Sequence, residues 1–303
     1  MYQIPQRVHQ GVTWYNLDKI DPEMMNLVLD NFHFHDLEIE HLQKPFVHPK
    51  INHYDDYVSL ILHFPIIQDN FITQTAKLHI ILGEKYIFTF QDKPLPEINK
   101  FFEEFSTLPD NEIELQTTSG YVLYQILKRL YDECFQILSF QESTIEDLED
   151  KIFEGDMKDN IQDILHIKRE IITLRRILGL QRDLVKKLKD KSFSFLNKNI
   201  HHYFDSIIDQ SNKIWDILEV HKENIEAMQD ANEANISHRT NRVMQLLTVF
   251  SVVMLPLTFM VGLFGMNVSL PMENNIHAFS FLLLIMSGIT ALLLILFYWK
   301  KWM

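Results

Sequence analysis

The sequence predicts an α+β membrane protein. An N-terminal α/β domain leads into a long helical stalk, which continues unbroken into the first of two C-terminal transmembrane helices. Three observations carry this expectation. Beyond residue 242 the only charged side chains are Glu273, Lys300 and Lys301. β-branched and aromatic runs crowd the first 118 residues. Between Asp110 and Leu255 there is no proline, and only Gly120, Gly155 and Gly179 interrupt a helical apolar spacing. We divide the chain accordingly into residues 1–118, 119–242 and 243–303.

In the first part, Tyr57–Ile67 and Ala76–Phe90 read as strands, with Gly83-Glu84 as a hairpin turn in the second run. Pro94, Pro96 and Pro109 punctuate the next stretch of chain, and Glu97–Phe105 between them reads as a short helix. In the second part, Tyr121–Phe153 and Asn160–Lys189 are longer than typical globular helices, which predicts long antiparallel helices or a coiled coil. Ile126, Leu130, Ile137 and Ile145 mark the apolar face of the first. A third helix starts near Ile200 and runs to Phe264, about 65 residues or roughly 100 Å at 1.5 Å per residue. Only about a third of that length fits in lipid. The rest is a stalk joined without a hinge to the membrane span.

The third part contains two runs free of Asp, Glu, Lys and Arg, 243–272 and 274–299. A spanning helix needs about 20 mostly apolar residues, so both runs suffice. The spans are predicted at Met244–Phe264 and Phe279–Tyr298. Arg239 and Arg242 precede the first span, Lys300 and Lys301 follow the second, and the loop between them holds no cation. The positive-inside rule then places both termini in the cytoplasm, with Tyr298, Trp299 and Trp302 at the inner interface. The predicted location is the inner cell membrane, in contact with its lipids. No signal-peptide core stands at the N-terminus.

Charge and composition exclude several function classes. The chain carries 28 Lys+Arg against 41 Asp+Glu, a net charge of −13. Two of those cations and one acid lie beyond residue 242, leaving 26 against 40, or −14, upstream. A nucleic-acid partner is excluded, because phosphate binding needs clustered cations. Cys134 is the only cysteine, which rules out a disulfide framework and cysteine-cluster zinc sites, and its helical pattern predicts a buried thiol. His33 and His35 would share a face on a strand and could there hold a transition metal, although no further ligands stand at a defined spacing. No GxxxxGK[ST] loop and no convergent catalytic set is found, so neither an enzyme nor a cofactor is expected.

At the outer end of the first span stands Gly265-Met266-Asn267. The segment TNRVMQLLTVFSVVMLPLTFMVGLFGMN, a short loop, a second span and a Lys-Lys-Trp ending resemble the CorA family of divalent-cation channels. The resemblance extends to HIKREIITLRRILGLQRDLVKKL at 166–188 and to Tyr203–Asp209. It implies a homo-pentamer that imports Mg²⁺, and in some cases Co²⁺ or Ni²⁺, through a Gly265-Met266-Asn267 selectivity filter. The chemistry fits. Mg²⁺ dehydrates reluctantly, so neutral amide and carbonyl oxygens at a wide radius suit the hydrated ion better than carboxylates. Repeated around an axis, such groups form rings, as in other filters. Two spans do not enclose a pore, so the chain must associate with itself.

On a helix turning 100° per residue, Met244, Ser251, Leu255, Thr258 and Gly262 fall within about 40° of one line, with Leu247 about 60° off it. The family's pore positions map onto these residues, with Asn241 at the inner end. Small residues such as Thr258 and Gly262 are equally what close helix packing favours. As pore lining, Met244, Leu247 and Leu255 would make a dry constriction that gates by dewetting. Asn267 lies about 140° from that line, so it faces an axis only if the helix ends near Gly265 and the chain turns inward. No acid lies in either span, so no proton relay is expected. The membrane potential alone gives a divalent ion about 4.6 kcal/mol per 100 mV, roughly a 2,000-fold concentration ratio.

Departures from the family pattern are specific. Phe264 stands where a tyrosine is usual, and the loop reads Leu270-Pro271-Met272-Glu273-Asn274, with Glu273 its one acid and a candidate to concentrate cations. The resemblance implies regulatory Mg²⁺ between subunits at cytoplasmic acids. Asp209 matches such a position, whereas Ser206 occupies the other, with Asp205 one residue earlier and so rotated by about 100°. The rival readings are a ZntB-like Zn²⁺ transporter, whose tripeptide usually has another middle residue, and a non-transporting membrane-anchored scaffold.

Overall fold

The computed structural model describes residues 4–18, 22–67, 73–107, 118–154, 160–190, 200–266, 277–300 and 302. They group into two compact units, Met1–Gln229 and Asp230–Met303.

The first unit holds a six-stranded sheet. Its strands are β1 (Gln6–His9), β2 (Val12–Leu17), β3 (Lys50–His53), β4 (Val58–Ile67), β5 (Thr73–Leu82) and β6 (Tyr86–Gln91). They lie in the order β1-β2-β6-β5-β4-β3, antiparallel except for the β2–β6 pair. The predicted strand pair is β4 with β5–β6, and its turn closes with Gly83 N–H donating to Tyr86 O at 3.0 Å. A Cβ added at Gly83 would lie 2.4 Å from the Tyr86 ring, so a larger residue there must displace that side chain.

The alternation of strand side chains builds three layers. On one face, Tyr15 and Phe88 stack at 4.3 Å and pack with Phe32, Phe34, Val28 and Leu42. These come from and around α1 (Pro22–Asn31) and α2 (Asp36–Gln43). On the other face, Trp14 meets Phe101, Phe102 and Phe105 at 5.1–5.3 Å, and its Nε1–H donates to Thr89 Oγ1 at 2.9 Å. The three phenylalanines belong to α3 (Pro96–Glu104) and the short 3₁₀ turn after it, where the sequence predicts a helix.

A buried carboxylate pins α2 to the sheet. Glu38 is fully buried and accepts from Asn52 Nδ2 and Tyr54 OH at 2.7 Å each, from Ser59 Oγ, and from His79 Nε2 at 2.9 Å. Burial works to raise its pKa, but these four hydrogen bonds outweigh it and hold the carboxyl far below the usual range.

Four further helices follow among the described residues: α4 (Ser119–Glu154), α5 (Asn160–Asp190), α6 (Ile200–Phe264) and α7 (Ala278–Trp299). All four fall where the hydrophobic spacing places them. Glu170 and Ile177 widen the buried face of α5, whose other buried positions (Ile164, Ile167, Ile171, Leu174, Leu178, Gln181, Val185, Leu188) alternate steps of three and four. So do those of α6 (Phe204, Ile207, Ser211, Ile214, Leu218, His221, Ile225, Met228). This is the heptad seam of a coiled coil. α5 also reaches the sheet. Its Gln181 Oε1 accepts from His63 N–H at 2.9 Å, on the stretch of β4 beyond Ile61 that β3 leaves unpaired.

Three contacts register α5 antiparallel to α6: Arg182 with Asn212, Arg175 with Glu219, and Lys168 with Gln229. Between them Trp215 lies over Gly179, where an added Cβ would come within 2.7 Å of the indole. The guanidinium carbons of Arg175 and Arg182 stand 4.7 and 5.7 Å from its ring centroid. Gly179→Ala is therefore expected to destabilise the chain by about 1–3 kcal/mol through overpacking, even though alanine is the better helix former. Thermal unfolding of the variant checks this, and a raised melting temperature would refute it.

Two other expectations resolve here. Cys134 is buried, and its burial pushes the thiol pKa well up, so it is unreactive. His33 and His35 are not on a strand. They lie between α1 and α2, where His35 caps α2 by accepting from Leu37 N–H at 3.2 Å. His35 thus serves a helix end, and the strand face that would align it with His33 does not form.

Candidate cation-conduction site

The sequence places the site on the C-terminal half of α6. That half and α7 are long and apolar enough to cross a membrane, with mean hydropathies of 2.3 and 2.6. α6 stays helical through Pro256, whose ring removes one backbone donor. Within the second unit, α6 loses exposure along Val249, Val253, Pro256, Met260 and Leu263. α7 does so along Leu282, Ile285, Met286, Ile289, Leu293 and Phe297. Apart from the adjacent Ile285 and Met286, both stripes step by three and four, as expected of two helices packed side by side.

The predicted pore positions occupy the opposite side of α6. Asn241, Met244, Leu247, Ser251, Leu255, Thr258 and Gly262 are all exposed, with Leu255 at 71%. On a helical wheel the covered arc is centred about 140° from Met244, and the candidate line is centred near Met244 itself. Beyond its own turn of helix, no atom lies within 4 Å of a Cβ built on Gly262. α7 therefore leaves this face uncovered.

The hydroxyls on that face have their protons engaged. Ser251 Oγ donates to Leu247 O at 2.8 Å and Thr258 Oγ1 to Met254 O at 2.9 Å. Thr248, which sequence reasoning missed, donates to Met244 O at 2.7 Å and lies about 40° from the same line. Its signal was available in the 100° arithmetic. A hydroxyl that donates to its own helix presents outward only lone pairs, a neutral acceptor surface. The other members of the face are apolar, apart from the Asn241 amide.

α6 ends at Phe264, one residue before Gly265, as the sequence requires. Gly265 N–H still donates to Val261 O at 2.9 Å, and Met266 N–H to Leu263 O at 3.4 Å. Asn267 and Glu273 lie outside the described residues. Asp205 is half-buried and Asp209 exposed, one turn apart on α6. Among the described residues no three His, Cys, Asp or Glu side chains come together to hold a metal ion. The described residues of one chain thus offer these two acids no third carboxylate or imidazole.

Over residues 9–301 the sequence matches the family described as CorA-like Mg²⁺ transporter protein. The chain belongs to the CorA family. It is a divalent-cation transporter of that family, which is a family of transporters and not of enzymes. YfjQ of Bacillus subtilis is 28% identical over 98% of this chain and 92% of its own length. The cobalt/magnesium transport protein CorA of Thermotoga maritima is 24% identical over 99% and 86%. The zinc transport protein ZntB of Yersinia pseudotuberculosis is 22% identical over 96% and 88%. In fold, the CorA magnesium transporter of Methanocaldococcus jannaschii superposes with a TM-score of 0.87 at 21% identity, over 97% of this chain and 92% of that one. The α/β unit, the long helix and the two apolar C-terminal helices are thus the architecture of the CorA fold.

Proposed function

We propose that copies of this chain assemble, as a pentamer by family resemblance, with the uncovered face of α6 lining a pore that imports hydrated Mg²⁺ down the membrane potential. The observation that carries this reading is that face itself: uncharged, rich in small residues and outward lone pairs, and left open by α7. Neutral acceptors bind the water shell of Mg²⁺ without stripping it, which suits an ion that dehydrates slowly. Gly265, Met266 and Asn267 form the outer filter. Met244, Leu247 and Leu255 form the inner dry constriction, and Glu273 gathers cations outside. Both termini lie in the cytoplasm. Co²⁺ and Ni²⁺, similar in charge and hydration, pass as well.

Asp205 and Asp209 act as regulatory ligands, completed by a neighbouring copy, so that cytoplasmic Mg²⁺ holds the assembly closed. The acidic upstream part of the chain favours this by concentrating cations.

Liposomes loaded with purified chain test the reading. Mg²⁺ uptake is expected to follow an inside-negative potential, to be competed by Co²⁺, and to be indifferent to a pH gradient. The similarity to ZntB supports a Zn²⁺ reading instead, against which Met266 speaks. Uptake of Zn²⁺ but not Mg²⁺, driven by a pH gradient, would establish that alternative.

A further inference from the structure

His221 occupies a seam position of α6, between Leu218 and Ile225, and is 2% exposed. Neither of its ring nitrogens has a hydrogen-bond partner. A neutral imidazole carries one N–H donor and one acceptor, so both are stranded in an apolar setting. An aliphatic residue would be more stable there, as at the neighbouring seam positions. A side chain that costs stability at a core position of a coiled coil is suited to switching.

The surroundings are set by register. Gln210 on Asp132 and Tyr203 on Tyr124 run α6 parallel to α4. Extended about three turns further, that register brings His221 to the level of Glu142. The α5 contacts bring it to the level of Leu174. Glu142 on the exposed side of α4 is the charge that acts on the ring. From α5, the cations Lys168 and Arg175 are engaged by Gln229 and Glu219. On α6 itself, Lys222 lies between Glu219 and Glu226.

We infer that His221 is a proton-operated switch in the α6 stalk: neutral it fills the seam, and once protonated it leaves toward Glu142 and loosens α6 from α4 and α5. Burial holds the ring's proton affinity below that of a free imidazole, and Glu142 only partly offsets this. The packed state is therefore fully stable above the ordinary imidazole value near 6.5 and weakens as pH falls from there toward the lower buried value. Because α6 is one continuous helix that also carries the candidate pore face, the consequence for transport rests on the reading above. The switch itself does not.

Hydrogen exchange on the full chain in lipid nanodiscs tests it. Amides of α6 between Ile214 and Met228 are compared at pH 7.5 and 5.5 after correction for intrinsic rates. Wild type is expected to lose about tenfold in protection at the lower pH, the scale of one pH unit of linkage. His221→Phe, which suits an apolar seam, and the neutral polar His221→Gln should each abolish that loss. Strands β4 and β5, which carry the separate buried histidines His63 and His79, should respond identically in all three proteins. Equal protection of wild-type α6 at both pH values, or an undiminished loss in both variants, would overturn the proposal. No step of this experiment depends on ion flux.

Discussion

Asn267→Ala is expected to reduce Mg²⁺ uptake into liposomes by at least about tenfold while leaving membrane insertion and assembly intact. The reason is that one substitution removes an equivalent acceptor from every subunit around the axis. An amide oxygen accepting from the water shell of a divalent ion makes a charge-assisted hydrogen bond, worth about 1.5–3 kcal/mol each. About 1.4 kcal/mol already amounts to a factor of ten in rate. Met266→Ala, which removes no acceptor side chain, should have a smaller effect. Fluorescent-indicator uptake at fixed potential, with assembly checked by size, provides the measurement. Wild-type flux in Asn267→Ala would remove the filter from the proposal.

The largest effect on stability is expected at Glu38. Glu38→Ala leaves the donors of Asn52, Tyr54, Ser59 and His79 facing a void inside the α/β unit. Removing one partner of such a buried charged network costs about 3–5 kcal/mol. Glu38→Gln keeps the volume but presents an amide N–H₂ where an acceptor is needed, so an intermediate loss is expected. Denaturant unfolding of the two variants gives the order. The pH dependence has a defined sign. Because hydrogen bonds hold this carboxyl far below its ordinary range, its contribution is fully present above about pH 4.5. It fades only as the pH falls toward the much lower folded value. A stability loss in wild type that Glu38→Gln removes near neutral pH would contradict this assignment.

The elements legible in the sequence share one property: their signal is local. The bounds of α4, α5, α6 and α7 follow from apolar spacing and from the loss of charge beyond Arg242. The hairpin of β5 and β6 follows from Gly83 between two β-branched runs. β1, β2, β3, α1 and α2 left no comparable trace. Their apolar residues, such as Trp14 and Val28, are interspersed with polar ones that are buried only because a distant partner meets them. Asn16, for example, accepts from Thr89 and Gln91 more than seventy residues away. For the site, the wheel arithmetic found the α6 face but overlooked Thr248. It also had no means of telling pore lining from helix packing, since both favour small residues.

The sequence by itself determined where the membrane helices lie, that α6 is one helix through Pro256, and which residues could face an ion. Charge, periodicity and chain stiffness are properties of neighbours along the chain and need no fold to be read. Only the tertiary structure decided which side of α6 is covered, that a buried glutamate ties α2 to three strands, and that His221 sits in a seam without partners. Each of these depends on which atoms far apart in sequence come within a few ångströms, and desolvation is felt only once they do.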